Sequence, residues 1–296
     1  MNKFKNIAAI GLASALTLTS AAMLAGCTDK NSETDREESE VIQPLPEPEN
    51  PGHTTPEIPP ELPPETNDPE PGGPVEPEPD PVPVVTTVSY IKLISGGVNI
   101  RAGAGTQYAV KGAAQKSTMY AMNGKSGSWY KTEYKNGNAY LSAQYCEVVQ
   151  MKKSDDTRVE SVISEGTKLL GTTYVYGAER YHNGKGVLST KFSITAFDCS
   201  SLMQYIFYKG ADVNLQVTSR TQSVQGKTVT KSGLKRGDLM FFTNSTRYNY
   251  SGVERIGHVG LYLGENWILH TASDYAKIEQ ISSVRWSYFI KAQRVI

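Results

Sequence analysis

Cysteine and histidine are both scarce in this chain, with 3 of the former and 4 of the latter among 296 residues. Cys27, Cys146 and Cys199 are too few for a disulfide scaffold, so the folded part has to be held by an apolar core. Clusters at metal-ligand spacing, a phosphate-cradling glycine loop and a dinucleotide fingerprint are all missing, and no metal or cofactor is expected. Net charge is also missing, but only because opposite charges are segregated. Residues 28–85 carry 16 acidic and 2 basic residues, whereas residues 86–296 carry 14 acidic and 26 basic. Proline is absent outside one stretch, since all 16 prolines lie between Pro44 and Pro83. A segment so rich in proline and acid and so poor in aromatics cannot bury a core. It is expected to be an extended spacer, reaching roughly 120 Å at about 3.1 Å per residue. Composition leaves open whether its length matters.

The N-terminus gives an address. Lys3 and Lys5 precede an apolar run, Ile7 to Leu24, rich in small residues, so residues 1–26 read as a secretory signal. The run ends in Leu24-Ala25-Gly26-Cys27, which resembles the bacterial lipobox, in which the cysteine becomes the lipidated first residue of the mature protein. Each buried methylene of an acyl chain contributes roughly 0.8 kcal/mol, so a multiply acylated Cys27 holds a protein on its membrane. Export makes nucleic acid an unsuitable partner for the basic half, and a polyanionic cell wall a suitable one. The expected order is a signal at 1–26, an acidic linker at 27–86, and two folded segments at 87–150 and 151–296.

Residues 87–150 are short alternating runs broken by glycine, asparagine and serine, with Asn136-Gly137-Asn138 as a hairpin signal. About five short strands in so small a segment point to a little barrel. VNIRAGAGTQY, SWYK and AYLSAQY in this order resemble the bacterial SH3 domain. That resemblance implies docking on wall peptides or packing beside a hydrolase; a mere spacer is the alternative. Cys146, flanked by apolar residues in a terminal strand, reads as a buried small hydrophobe.

From residue 151 the pattern changes. Val159, Val162, Ile163, Leu169 and Leu170 recur at near-helical spacing, and SSLMQYIFYK reads as a second helix. Strand-like runs follow: DLMFF, HVGLYLG, WILHTA and IEQIS. Helices first and antiparallel strands later make an α+β domain. Asp198 is a good helix N-cap, so Cys199 falls in the first turn, where the helix dipole favours a thiolate. A cysteine nucleophile needs a base. With Gly264-Glu265-Asn266 as a three-residue loop, Leu263 opposes Trp267 and Gly260 opposes His270. His258 and His270 then share a face as diagonal neighbours, with room left by Gly260, while a two-residue loop would put them on opposite faces. In the first register His258 is the base and His270 orients it.

The order DCSS, RTQSVQ, LKRGDLMFF, GHVGLYLG and ILH closely resembles the NlpC family of papain-like peptidases, from about residue 160 to the end. The resemblance implies a papain-like α+β fold and a thiol protease that hydrolyses peptidoglycan stem peptides at the bond between γ-D-glutamate and the diamino acid. It gives Cys199, His258 and His270 the catalytic roles. It also makes Tyr174 in YVYG a substrate or oxyanion ligand, Asp198 and Ser200 ligands of the substrate's free amino end, and Ser223 a residue lining the same pocket. Ser201 stands where the family usually has glycine, and Arg236 where proline is common, the latter read as a neutral turn change. An extra loop, Ala178 to Phe197, precedes the nucleophile, and His182 within it is expected to be exposed. Two rivals remain, a wall amidase or acyltransferase on the same scaffold and a non-catalytic wall-binding lipoprotein. The expected molecule is a monomer anchored at the cell surface.

Overall fold

The computed structural model describes residues 85–296. The signal at 1–26, the lipidation site Cys27 and the linker up to residue 84 lie outside the described residues. Eight short strands come first: β1 (Thr87–Leu93), β2 (Val98–Arg101), β3 (Val110–Ala114), β4 (Thr118–Ala121), β5 (Gly124–Ser126), β6 (Trp129–Glu133), β7 (Asn138–Ser142) and β8 (Cys146–Lys152). Then follow α1 (Thr157–Lys168), β9 (Thr173–Tyr174), β10 (Ala196–Phe197), α2 (Cys199–Ala211), the one-turn α3 (Ser219–Gln222) and β11 (Lys227–Val229). The chain ends in β12 (Leu239–Phe242), β13 (His258–Gly264), β14 (Trp267–Ala272), β15 (Tyr275–Gln280), α4 (Ser283–Ser287) and β16 (Phe289–Arg294).

The molecule is mixed helix and sheet, with sheet predominating. Five early strands form one sheet in the order β3-β2-β7-β6-β5. The hairpin expected at Asn136 joins β6 to β7, with Lys135 and Asn136 both at positive φ. The other early strands do not close on themselves. β1 pairs with β4 and β8, and β4 pairs in turn with β15, giving the continuous order β11-β16-β12-β13-β14-β15-β4-β1-β8. The two segments therefore share one sheet, which the periodicity of either alone does not reveal.

The helices cover that sheet as the apolar spacing predicts. α1 begins at an Asp156 N-cap and turns Val159, Val162 and Ile163 inward. α2 is apolar almost all round and buries Leu202, Met203, Ile206 and Phe207 between α1 and the sheet. The two helices approach closely at Gly210, where an added Cβ would lie 2.5 Å from the Val162 backbone. This packing fixes where the start of α2 meets β13.

Arg236 is more than a turn residue. Its guanidinium donates to Glu160 at 2.6 and 2.9 Å, to the Leu263 carbonyl at 2.8 Å and to the Tyr90 hydroxyl at 2.8 Å. It thereby ties α1, the end of β13 and β1 together, and its side chain is only 6 % exposed. The expected neutrality overlooked that a fork of five donors can serve three elements at once.

Candidate functional site

The first turn of α2 is held by reciprocal hydrogen bonds. The Asp198 carboxylate accepts from the Ser201 N–H at 2.8 Å, and the Ser201 hydroxyl accepts from the Asp198 N–H at 2.9 Å. Serine at 201 thus completes a capping box that glycine could not. The partly exposed Cys199 follows the cap directly, and the backbone amides of Val259 and Ser200 favour the charged form of its thiol. The influence of the Val259 amide sets the sulfur near the start of β13, the strand that carries His258.

The two histidines meet. His258 Nε2 lies 3.0 Å from His270 Nδ1, with the rings edge to face. The register that brings them together is the expected one, Leu261 opposite Leu269, but the turn that sets it is not. Glu265 and Asn266 form a two-residue turn, both at positive φ, with Gly264 opposite Trp267. A bulge between Tyr262 and Gly264 then shifts the pairing by one residue. A two-residue turn alone would have put the histidines on opposite faces; the bulge restores their common face. Gly260 sits between them, where a Cβ would lie 2.6 Å from Ile268 and 3.0 Å from the His270 Cβ.

Electrostatically the pair differs from the expected thiolate. Burial pushes the Cys199 thiol up to about 11, and the Asp198 charge adds to this, against the pull of the Val259 and Ser200 amides. Burial also depresses His258 well below its ordinary value, helped by His270 and Arg285. Burial thus disfavours the charged form of both the Cys199 thiol and the His258 imidazole. Desolvation outweighs the helix dipole, whose effect rarely exceeds about 2 kcal/mol.

Two residues missed in the sequence complete the surroundings. Glu279 Oε1 lies 2.9 Å from His270 Nε2. Its signal was the Ser273-Asp274 turn, which sets Ile268 opposite Glu279 and so makes Glu279 a diagonal neighbour of His270. Arg180, from the extra loop, donates to Asp198 at 2.9 Å, to the Ser200 hydroxyl at 3.2 Å and to the Ala178 carbonyl at 2.7 Å. Nothing in its local spacing marked it.

The other expected residues are distributed around this centre. Tyr174 joins His258, Phe242, Ser273, Arg285 and Tyr288 in lining a cleft of about 340 Å³. Its phenol is raised first by burial and then by the nearby Cys199 and Asp198. Asp198 and Ser200 are buried, and both Asp198 oxygens are engaged internally: one by Ser200 and Ser201, the other by Gly177 and Arg180. Ser223 is buried too, and its hydroxyl donates back to the Arg220 carbonyl. Within RTQSVQ it is Gln222 that reaches α2, donating to the Ser200 carbonyl at 2.9 Å. His182 is buried rather than exposed, accepting from the Gly184 N–H and packing beside Tyr181 and Tyr208. The aromatic cluster of Tyr181, Phe192, Phe197 and Tyr205 folds the loop back onto α2, an outcome its polar composition concealed. A larger hollow, about 710 Å³, lies by Asn99, Arg101, Trp129 and Tyr145 of the early strands and shares no lining residue with this site. Among the described residues no cluster of histidine, cysteine or carboxylates is arranged to hold a metal.

Residues 171–295 match the NlpC/P60 family. The chain is 27 % identical over 156 residues to the gamma-DL-glutamyl hydrolase of Bacillus subtilis, covering 52 % of this chain and 33 % of that protein. It is 29 % identical over 135 residues to the peptidoglycan DL-endopeptidase CwlO of Bacillus licheniformis, covering 45 % of this chain and 27 % of that protein. It is 26 % identical over 171 residues to the gamma-D-glutamyl-L-lysine dipeptidyl-peptidase of Bacillus subtilis, covering 58 % of this chain and 50 % of that protein. The chain thus spans half or less of the length of these curated relatives.

Proposed function

We propose that this protein is a cell-surface cysteine endopeptidase that cleaves peptidoglycan stem peptides, at the bond between γ-D-glutamate and the diamino acid. One observation carries the reading: Cys199, at the tip of a capped helix, lies close enough to the Val259 backbone amide for that amide to favour its charged form, and Val259 adjoins His258, whose far nitrogen is held by His270. A cysteine, a base and an orienting group in this order are what acyl transfer to water requires. The match to the NlpC/P60 family over residues 171–295 and the names of the three relatives support the substrate class.

His258 Nε2 faces His270, which leaves Nδ1 as its free nitrogen. As the sulfur attacks the amide carbonyl, the thiol proton passes to His258; the imidazolium then gives that proton to the leaving amine. Water deprotonated by His258 attacks the thioester, releasing the new carboxylate and returning the proton to sulfur. The Cys199 N–H and the Tyr174 hydroxyl are the proposed donors to the oxyanion. Because Asp198 and Ser200 are saturated by internal partners, their proposed role toward a substrate amine requires Arg180 to yield a place.

The rest of the proposed organisation follows the sequence. Residues 1–26 direct export, Cys27 carries the lipid, and residues 27–86 space the enzyme from the membrane. Residues 87–150 form an SH3-like module, residues 151–296 form the peptidase, and the whole acts as a monomer. Digestion of polymeric wall and of free stem peptides in parallel, with mass analysis of products, tests the reading. Free alanyl-glutamate or its wall-linked equivalent is expected. An acylated acceptor would mean a transferase, and wall bound but unprocessed would mean a binding protein.

A further inference from the structure

Behind the two histidines stands a third partner with no counterpart in the Cys199, His258, His270 set. Glu279 Oε1 lies 2.9 Å from His270 Nε2, and His270 Nδ1 lies 3.0 Å from His258 Nε2. His270 is fully buried, so each of its nitrogens has to be satisfied inside the protein. A carboxylate can only accept, so Nε2 carries the His270 proton and Nδ1 is left as the acceptor. His258 must then donate through Nε2, which keeps its Nδ1 lone pair free. One acceptor at the end of the chain fixes both tautomers.

Glu279 is itself fixed from several sides. Arg285 of α4 donates to the same oxygen at 3.1 Å, and Lys277, its own strand neighbour, lies 3.8 Å from the other oxygen. Thr118 of β4 pairs directly with it across the sheet, so the strand contributed by residues 87–152 holds its backbone. Burial would raise this carboxyl, but the hydrogen bond from His270 and the charges of His270, Lys277 and Arg285 outweigh it and hold the group at about 2. Glu279 is thus ionised throughout the neutral range.

We propose that Glu279 is a positioning residue: it locks His270, and through it His258, in the tautomers that present His258 Nδ1 as a proton acceptor toward Cys199. The inference deepens the hydrolase reading, but its physical content concerns protons on two rings and can be measured without turnover.

The test compares the full chain with Glu279→Ala and Glu279→Gln by ring nitrogen NMR, by the pH dependence of Cys199 alkylation, and by kcat on stem peptide. In the parent, His270 is expected to carry its proton on Nε2; in Glu279→Ala the ring becomes a tautomer mixture. The side-chain amide introduced by Glu279→Gln would still offer an oxygen to His270 and Arg285, so this variant is expected to retain the tautomer and lose only the charge. Without that charge the imidazoles bind protons less well, so the acid limb of alkylation moves to lower pH in both variants. Turnover is expected to fall roughly 10- to 100-fold in Glu279→Ala and less in Glu279→Gln. An unchanged His270 tautomer and acid limb in folded Glu279→Ala would overturn the proposal, whatever the kcat. A parent that hydrolyses no stem peptide but shows the tautomer change would sink the hydrolase reading and leave the role of Glu279 standing.

Discussion

At the scale of single residues, burial decides the chemistry. Cys199 was expected to be a thiolate because a helix tip favours one, and the cap at Asp198 is indeed in place. Yet burial, and after it that same carboxylate, raise the thiol to about 11, so in the proposed mechanism the proton leaves only as the sulfur attacks. In the proposed mechanism His258 is the base, and replacing it with alanine is expected to lower kcat by at least about 10³-fold at neutral pH. A loss below tenfold in initial-rate assays would mean that the sulfur is activated by another group. Gly260 is a second single-residue constraint, since a methyl there would press on Ile268 and the His270 side chain. Gly260→Ala is expected to cut kcat with little change in KM, because the relay and not the binding cleft is disturbed. A KM effect alone would contradict that. Such residue-level features divide in legibility. Cys199, His258 and His270 stand out as scarce residues in recognisable surroundings, whereas Arg180 reaches the site only because an aromatic cluster folds its loop back on α2.

At the scale of elements, periodicity exposed most of what mattered. The spacing of Val159, Val162 and Ile163 marked α1, and the runs HVGLYLG and WILHTA marked the hairpin that carries both histidines. Loop length was misjudged, because a two-residue turn plus a bulge gives the same parity as a three-residue loop. Hydrophobic alternation records parity and is blind to that exchange. The close approach of α1 and α2 was equally invisible, since it depends on Gly210 lacking a side chain. Gly210→Ala is expected to destabilise the fold by about 1–3 kcal/mol through overpacking against Val162, despite alanine's better helix propensity. Urea unfolding checks this, and a stabilised variant would show that the helices separate easily.

At the scale of the molecule, the two folded segments were legible separately and their union was not. Pairing of β4 with β15 depends on edges whose residues look alike whether or not they meet. Arg236 reinforces the junction, bonding Tyr90 on one side and Glu160 on the other. Arg236→Met is expected to cost about 3 kcal/mol, because Glu160 keeps its charge in a half-buried place without its partner. The parent chain is expected to unfold residues 87–296 in one transition, and two separated calorimetric peaks would contradict the shared sheet. Stability should also respond to acid. Burial lowers both His258 and His270 from their ordinary 6.5, so protons bind the unfolded chain more readily. Their contribution is present above about pH 6.5 and lost as pH falls through the folded values, with Glu279 following below its ordinary 4.5 toward about 2. Melting temperature is therefore expected to decline from pH 7 to pH 4; a flat profile would mean that the histidines are hydrated.

The most direct measurement follows a defined stem peptide incubated with the full protein in ¹⁸O-water, beside Cys199→Ala. A thioester released by water predicts free alanyl-glutamate carrying one ¹⁸O in its new carboxyl group, an acyl adduct trapped on Cys199, and no product from the variant. Intact peptide with the parent protein, or equal cleavage by Cys199→Ala, would contradict the account.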